Sequence, residues 1–343
     1  MKKKRRILLL VHETLVPPET LEGYTAKLIE EWRTEYDVST TLRAMGHEVR
    51  ILGLGDNLAE LRAAITDWKP DLAFNLLEEF QGIVTYDQYV VAFLELMRLP
   101  YTGCNPRGMM ISRDKALSKQ ILAYHRIPTA RFVLLPRNRR YREPRRLAFP
   151  LFVKSATEDA SFGIAQASIV YDAQKLRERV EFIHEQTNSN ALVEEYIEGR
   201  ELYIGVIGNE RLTTYPVWEL DFGTLPGAMA GIATRKVKWD LKYQRKHGIN
   251  TGPAKDLPEG LPVRMAALAR RIYRALLMTG YARIDVRLKP DGSVYVLEAN
   301  ANPNLEKEED FAISAQAGGV GYEQLLERIM RSGMGYEAAW RQT

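Results

Sequence analysis

The stretch spanning residues 281–304 limits the possible folds most, because two runs of alternating apolar and polar residues flank Asp291 and Gly292. A period of two is typical of a strand with one buried face. Asp-Gly between two such runs is a strong signal for a β-hairpin. The stretch therefore predicts two antiparallel strands joined by a two-residue loop.

The pairing that follows from this loop brings polar side chains together. Asp285 would face Glu298, and Arg283 would face Asn300, at about 5 Å between Cβ atoms. Facing carboxylates repel, so we expect a cation between them, and Mg²⁺ beside phosphates is held by such oxygens. The hairpin thus predicts a magnesium-nucleotide site. The alternative is that these charges lie on an ordinary solvated face, as most charges on hairpins do. In addition, a slip of one residue in the turn would put the two carboxylates on opposite faces.

Size and composition narrow the class of protein. The chain has 343 residues, 45% of them hydrophobic, which favours a large core divided among two or three domains. A net charge of +4 is small for this length and argues against a nucleic-acid platform. Cys104 is the only cysteine, so a reducing cytosol is the expected compartment. The apolar run at residues 7–11 is too short for a secretion signal or a membrane span, so we expect a cytoplasmic protein without membrane contact.

Strand and helix patterns alternate along the first hundred residues, which predicts a doubly wound parallel sheet. Ligands bind at the carboxyl ends of such strands, and Glu13 follows the first one. Glu13 is as well explained as an ordinary loop charge. The arginine-rich segment 137–146 is interpreted as a solvated connector between strands.

The sequence lacks GxxxxGK[ST] and lacks GxGxxG after a strand, so lysines and a mobile loop would have to hold phosphates. Lys154 ends a buried-looking strand and Lys115 begins a helix. Glu194 and Glu195 share a short strand, so one of them should point inward. A buried carboxylate there would accept a hydrogen bond from an adenine amino group.

Lys115, Lys154, the segment EEYIEGRE and the pattern RID…E-x-N together resemble the ATP-grasp superfamily, most closely the D-alanine–D-alanine ligases. The resemblance covers nearly the whole chain. It implies an α/β chain with an ATP-grasp fold in three parts. These are an N-terminal doubly wound domain at 1–104, a central ATP-binding domain at 105–190 and a C-terminal domain with the magnesium and substrate site at 191–343.

The same resemblance assigns roles to individual residues. Arg283 would stabilise the oxyanion of a tetrahedral intermediate. Two Mg²⁺ ions, for which Mn²⁺ could substitute, would be held by Asp285, Glu298 and Asn300. The residues implied to contact ATP are Lys115, Lys154, Ser161, Glu194, Glu195, Ile197 and Glu201.

The phosphate loop departs from the pattern of those ligases. It reads Asp159-Ala160-Ser161 where they usually have Gly-Ser-Ser. The resemblance makes Lys238-Trp239 the counterpart of the lysine-tyrosine pair in the substrate lid, with a catalytic role for Lys238 and a substrate contact for Trp239. It also implies that Glu13 is the catalytic glutamate of the first-substrate site.

The segment after the magnesium motif also departs. Asn302 and Asn304 flank Pro303 and are expected to contact substrate. By the resemblance, Glu309 stands where the ligases have a serine that meets the carboxylate of the second substrate. Two buried carboxylates facing each other cost several kcal/mol. Glu309 therefore favours a second substrate with an amine, a guanidinium or no free carboxylate, unless it points to solvent.

The predicted activity is ATP-dependent ligation of a carboxylate and an amine through an acyl phosphate, with amino-acid or peptide-like substrates other than D-alanine alone. One alternative is a kinase on the same scaffold that stops at a phosphorylated product. Another is an ATP-binding protein without turnover. The oligomeric state stays open, with a homodimer as one option.

Overall fold

The computed structural model describes residues 3–157, 165–225, 234, 237 and 240–341. The strands are β1 (Arg6–His12), β2 (Glu48–Leu54), β3 (Leu72–Asn75), β4 (Phe132–Leu135), β5 (Leu151–Ser155), β6 (Ile169–Val170), β7 (Ala191–Glu195), β8 (Arg200–Ile207), β9 (Thr213–Thr214), β10 (Trp218–Asp221), β11 (Asn250–Pro253), β12 (Tyr281–Leu288) and β13 (Val294–Ala301). The α-helices are α1 (Ala26–Glu31), α2 (Arg33–Ala44), α3 (Leu58–Trp68), α4 (Asp87–Leu96), α5 (Pro106–Arg113), α6 (Lys115–Tyr124), α7 (Ala173–Thr187), α8 (Leu241–His247), α9 (Leu261–Ala275), α10 (Asp310–Ala317) and α11 (Tyr322–Met334). No helix in this described part is long and apolar enough to cross a membrane.

The N-terminal sheet is parallel, as the alternating pattern predicts, and its strand order is β2-β1-β3. Its central strand is buried from Ile7 to Val11, because both faces are covered. The C-terminal helix α11 packs onto this sheet through Leu326 and Ile329, so the end of the chain returns to the first domain.

The central sheet is antiparallel in all its pairings and has the order β4-β7-β5-β6. Helix α7 covers one face through Leu176, Val180 and Ile183. Because β7 pairs with both β4 and β5, this sheet extends beyond residue 190, where the sequence placed a boundary. The arginines of segment 137–146 are all exposed between β4 and β5, as expected of a connector.

The C-terminal sheet is antiparallel and has the order β11-β10-β8-β12-β13, with β9 pairing to β8. Helix α9 packs against one face of this sheet through Met265, Ala269 and Ile272. The amphipathic stripe of this helix therefore faces the side of the sheet that carries Ile284 and Val286.

The β12–β13 hairpin has the predicted register at the site, although its loop is longer than predicted and a bulge interrupts the pairing. Asp285 pairs with Glu298 and Arg283 with Asn300, as predicted. The two-residue loop is wrong: Lys289 N donates to Ser293 O, so three residues form the loop, with Gly292 at φ 80°. A β-bulge follows Asp285, where the pairing changes from 298 opposite 285 to 296 opposite 286. The longer loop and the bulge shift the register in opposite directions, so the predicted pairs are restored.

Candidate active site

The hairpin presents a compact set of charged and polar side chains on one face. Arg283 Nε and Nη2 donate to Asp285 Oδ1 and Oδ2 at 2.8 and 2.9 Å. Asn300 Nδ2 also donates to Asp285 Oδ2, at 3.1 Å. Asp285 is 1% exposed, whereas the Glu298 side chain is 25% exposed. The Asp285 carboxylate is therefore buried and fixed by hydrogen bonds, whereas that of Glu298 is partly exposed.

Arg283 is held on three sides. Its guanidinium lies 4.5 Å from the ring centre of Tyr203, and Nη1 lies 3.9 Å from Asp310 Oδ2. Burial alone lowers the pKa of an arginine, but the Asp285 carboxylate outweighs it and raises the pKa of Arg283. The group is a permanent cation whose Nη1 edge is not needed by Asp285.

These oxygens suit a hard cation such as Mg²⁺. Asp285, Glu298 and Asn300 lie on adjacent strands with side chains on the same face, and each carboxylate oxygen can accept more than one contact. Mg²⁺ binds through one or two carboxylates and leaves its other positions to water and phosphate. Within the described residues, no group of three or more His, Cys, Asp or Glu side chains is arranged to hold a metal ion, so the hairpin would bind one through two carboxylates and an amide. The donor set on the hairpin fits the ion.

Facing the hairpin, the central sheet carries a buried ionic triad of Glu194, Lys154 and Lys119. Lys154 Nζ lies 3.0 Å from Glu194 Oε1, and Lys119 Nζ lies 2.9 Å from Oε2. Phe152 is directly opposite Glu194 in the strand pairing, and the Lys154 ammonium lies 5.8 Å from its ring centre. The three charged side chains are each between 2 and 7% exposed.

Opposing effects set the protonation of this triad. Burial raises the pKa of Glu194, but the two ammonium groups outweigh it and leave the pKa below its usual value. Burial lowers the pKa of Lys119. For Lys154 burial acts in the same direction, but the charges of Glu194 and Glu298 raise its pKa. Glu194 is therefore an ionised acceptor in a largely water-free position.

Lys115 connects the two sheets. It begins α6, its backbone N–H donates to Ala156 O at 3.0 Å, and its Nζ lies 4.0 Å from Glu298 Oε2. Lys119 lies one helical turn further on, so both lysines project from the same side of α6. Helix α6 thus places the Lys115 ammonium near Glu298 and the Lys119 ammonium within the buried triad.

Glu201 occupies the same face of the C-terminal sheet as the hairpin charges. Its carboxylate accepts from Arg287 Nη2 at 2.9 Å and from the Tyr203 hydroxyl at 3.0 Å. The connector between β7 and β8 contains Ile197, whose predicted backbone contact with adenine stays a prediction. Arg287 also donates to Gly199 O at 3.0 Å and so fastens this connector to the sheet.

The side chain of Glu195 lies on the other face of the sheet from that of Glu194, and its contact with ATP stays a prediction. Alternation along β7 turns its side chain to the face opposite Glu194, where Arg131 and the Ala148 N–H bind it. Its side chain therefore does not face the cleft, and only its backbone remains close to Glu194.

Asn302 and Asn304 have a structural role, and their predicted contact with substrate stays a prediction. Asn302 Oδ1 accepts from Cys104 N at 2.8 Å, and the residue has φ 50°. Asn304 Oδ1 accepts from Thr34 Oγ1 at 2.7 Å and from Glu306 N at 2.9 Å. The side-chain oxygens of both residues bind the segment after β13 to the N-terminal domain.

Glu13 lies at the carboxyl end of β1, where the parallel sheet predicts ligands. It is exposed and begins a short 3-10 turn. Its carboxylate packs directly over Gly55, where an added Cβ would lie 2.4–2.6 Å from the carboxyl atoms. The position agrees with a substrate contact, but the side chain lies along the neighbouring strand end.

Carboxylates crowd the segment that leads into α10. Burial, followed by the neighbouring Asp310 charge, raises the pKa of Glu309, although Arg283 opposes this. Burial and the charges of Glu30 and Glu309 raise the pKa of Glu306 to about 7. Both shifts favour the protonated carboxyl, and a cationic ligand beside Glu309 would favour its ionised form.

Three predicted residues, Ser161, Lys238 and Trp239, lie outside the described residues. Four residues of the site were missed by the sequence reasoning: Lys119, Tyr203, Arg287 and Asp310. Each had a local signal. Lys119 follows Lys115 by one helical turn, Tyr203 and Arg287 lie two residues from Glu201 and Asp285, and Asp310 adjoins Glu309.

Comparisons with known proteins show a matching family and several relatives. The family described as D-ala D-ala ligase C-terminus matches residues 121–331. The uncharacterised protein y4sG of Sinorhizobium fredii is 32% identical over 263 residues, which are 76% of this chain and 73% of that protein. A D-alanine–D-alanine ligase of Bordetella petrii is 30% identical over 297 residues, 85% of this chain and 84% of that protein.

Solved structures show the same fold. The D-alanine–D-alanine ligase of Bacillus anthracis complexed with ATP superposes with a TM-score of 0.73 at 24% identity, covering 96% of this chain and 97% of that one. The enzyme of Coxiella burnetii gives a TM-score of 0.70 at 17% identity, with coverage of 96% and 94%.

The three sheets and the charged cleft define an ATP-grasp protein of the ATP-binding ligase class. Because the family match covers more than half of the chain, the chain belongs to the D-alanine–D-alanine ligase family.

Proposed function

We propose that this protein joins a carboxylate to an amine at the expense of ATP, through an acyl phosphate. The observation that carries the proposal is the paired row on the hairpin, with Asp285 opposite Glu298 and Arg283 opposite Asn300. A scaffold that only bound nucleotide would not need this whole set. The family membership supports the same class of reaction.

Each part of the cleft has a role in this reaction. Asp285, Glu298 and Asn300 would hold Mg²⁺, which when bound neutralises charge on the transferring phosphoryl group. Lys115 and Lys154 add positive charge to the phosphate side. Arg283 keeps its Nη1 edge directed away from Asp285, where it would stabilise the oxyanion formed when the amine attacks.

Glu194 and Glu201 would bind the nucleoside. An ionised carboxylate only accepts hydrogen bonds, which matches the amino group of adenine and the hydroxyls of ribose. Both side chains are nearly buried and already oriented by cations, so little conformational freedom is lost when ATP binds.

For the second substrate we propose a molecule with a cationic group in place of a free carboxylate. Glu309 is partly buried among carboxylates, and a substrate carboxylate placed there would be repelled. An amine or guanidinium would be attracted instead, with Arg283 left free to face the reacting centre.

The test is ADP release with Mg·ATP across a matrix of amino acids, dipeptides and polyamines, followed by mass spectrometry of the products. We expect ADP and a new amide only when an acid and a cationic amine are both present. Robust ADP formation with D-alanine alone would refute the substrate proposal. A stable phosphorylated product without an amine requirement would replace ligation by kinase activity.

A further inference from the structure

Lys119 is a nearly completely buried cation that neither the sequence motifs nor the proposed phosphate contacts use. It is 2% exposed, and its ammonium contacts Glu194 Oε2 at 2.9 Å and Thr129 Oγ1 at 2.7 Å. A buried ammonium is costly unless it is paired, so its position calls for a reason.

The two lysines of the triad bind different oxygens of one carboxylate. Lys154 takes Oε1 and Lys119 takes Oε2. When Lys154 turns to the phosphates of ATP, it would leave Glu194 with half of its compensating charge. Lys119 cannot follow, because Thr129 and the surrounding protein hold it in place.

A second set of contacts connects Lys119 to β13, the strand that carries Glu298 and Asn300. The Thr129 hydroxyl donates to Val296 O at 3.1 Å, and Val296 N donates to Pro128 O at 2.9 Å. Val296 lies on β13, two residues before Glu298. Lys119 therefore connects the carboxylate of the central sheet, through one hydroxyl, to the strand that carries the metal ligands.

We infer that Lys119 is a positioning residue that keeps Glu194 charged and turned toward the amino group of adenine, so that the site selects ATP over GTP. The inference rests on the proposed ATP site. An ionised acceptor favours the adenine amino group and repels the carbonyl oxygen that guanine has at the same position. Without Lys119 the carboxylate would lose both its second anchor and its charge compensation, and selectivity would fall.

The test is calorimetric binding of Mg·ATP and Mg·GTP to the full chain, which requires no knowledge of the other substrates. We expect Lys119→Met to weaken ATP binding about tenfold or more, the effect of losing one charge-assisted hydrogen bond, and to weaken GTP binding much less. The matched control is Lys175→Met, an exposed lysine on α7 that pairs with Glu178, and this change should leave both affinities unchanged.

A double-mutant cycle separates positioning from general structural damage. In a Glu194→Gln background, Lys119→Met should change ATP affinity by less than about twofold, because the group it acts through is already altered. If Lys119→Met fails to fold, Thr129→Val tests the same link and should weaken ATP binding in the same direction by a smaller factor.

Equal losses of ATP and GTP affinity, or the same loss with and without Glu194→Gln, would overturn the inference. The outcome for ligation is separate. If the wild-type chain binds ATP but releases no ADP with any acid and amine, the proposed reaction fails while the role of Lys119 can still be measured.

Discussion

Replacing Arg283 by lysine tests whether the buried arginine supplies more than a structural ion pair. The guanidinium makes two charge-assisted hydrogen bonds to Asp285, at 2.8 and 2.9 Å, and a lysine can keep only one. Such a bond contributes about 1.5–3 kcal/mol, so we expect Arg283→Lys to lose stability in that range. Loss of the Nη1 edge should lower kcat by a further factor of about 100–1,000, as for other oxyanion donors.

Urea unfolding gives the stability term, and ADP release with the best acid and amine gives kcat. The matched control is Arg131→Lys, because Arg131 also forms a two-pronged pair with a carboxylate, Glu195, but its side chain is 66% exposed on the back of the central sheet. The control should show little change in either measurement, since exposed ion pairs contribute little. An Arg283→Lys variant that unfolds more easily yet keeps kcat within threefold would refute the catalytic role.

Three further outcomes are expected. Glu298→Gln removes one of the two carboxylates proposed to bind Mg²⁺ but leaves the ion pair of Arg283 with Asp285 intact. ADP release should therefore fall at least 100-fold and partly recover at high Mg²⁺. A Mg²⁺ titration unchanged from wild type would contradict the metal site. Glu309→Ser should lower the turnover of a cationic amine and raise the turnover of an amino acid with a free carboxylate. The measurement is the ratio of the kcat/KM values for the two substrates. An unchanged ratio would mean that Glu309 does not contact substrate. Burial is the main cause that raises the pKa of Glu35 to about 7. The contribution of the protonated carboxyl to the stability of the fold is therefore complete below about pH 4.5 and is lost as the pH rises through 7. Glu35→Gln should therefore be more stable than wild type at pH 8 by on the order of 2 kcal/mol and similar to it at pH 5, in urea unfolding; a difference that does not change with pH would count against this.

Local patterns predicted the elements well where one period dominated. The alternation in residues 281–288 placed Arg283 and Asp285 on one face because successive side chains in a strand point to opposite sides. The parallel N-terminal sheet also followed from the spacing of its strands and helices. The exact loop did not follow, because a third loop residue and a bulge give the same pairs at the site as a two-residue loop.

Glu194 and Glu195 show where local information ends. Alternation required that one of them face inward, but the choice depended on which face α7 covers and where Lys119 and Lys154 arrive. Those lysines come from different segments of the chain, and the free energy of burying three charges becomes acceptable only when all three meet.

The sequence by itself determined the alternating strands and helices of the first hundred residues, the two strands of the hairpin, the shared face of the hairpin charges and the family to which they belong. Only the tertiary structure decided which charges are paired, which carboxylates crowd beside Arg283, and that Asn302 and Asn304 join domains. The reason is physical. Side-chain periodicity is set by neighbouring residues, whereas burial and ion pairing are set by segments brought together from distant parts of the chain.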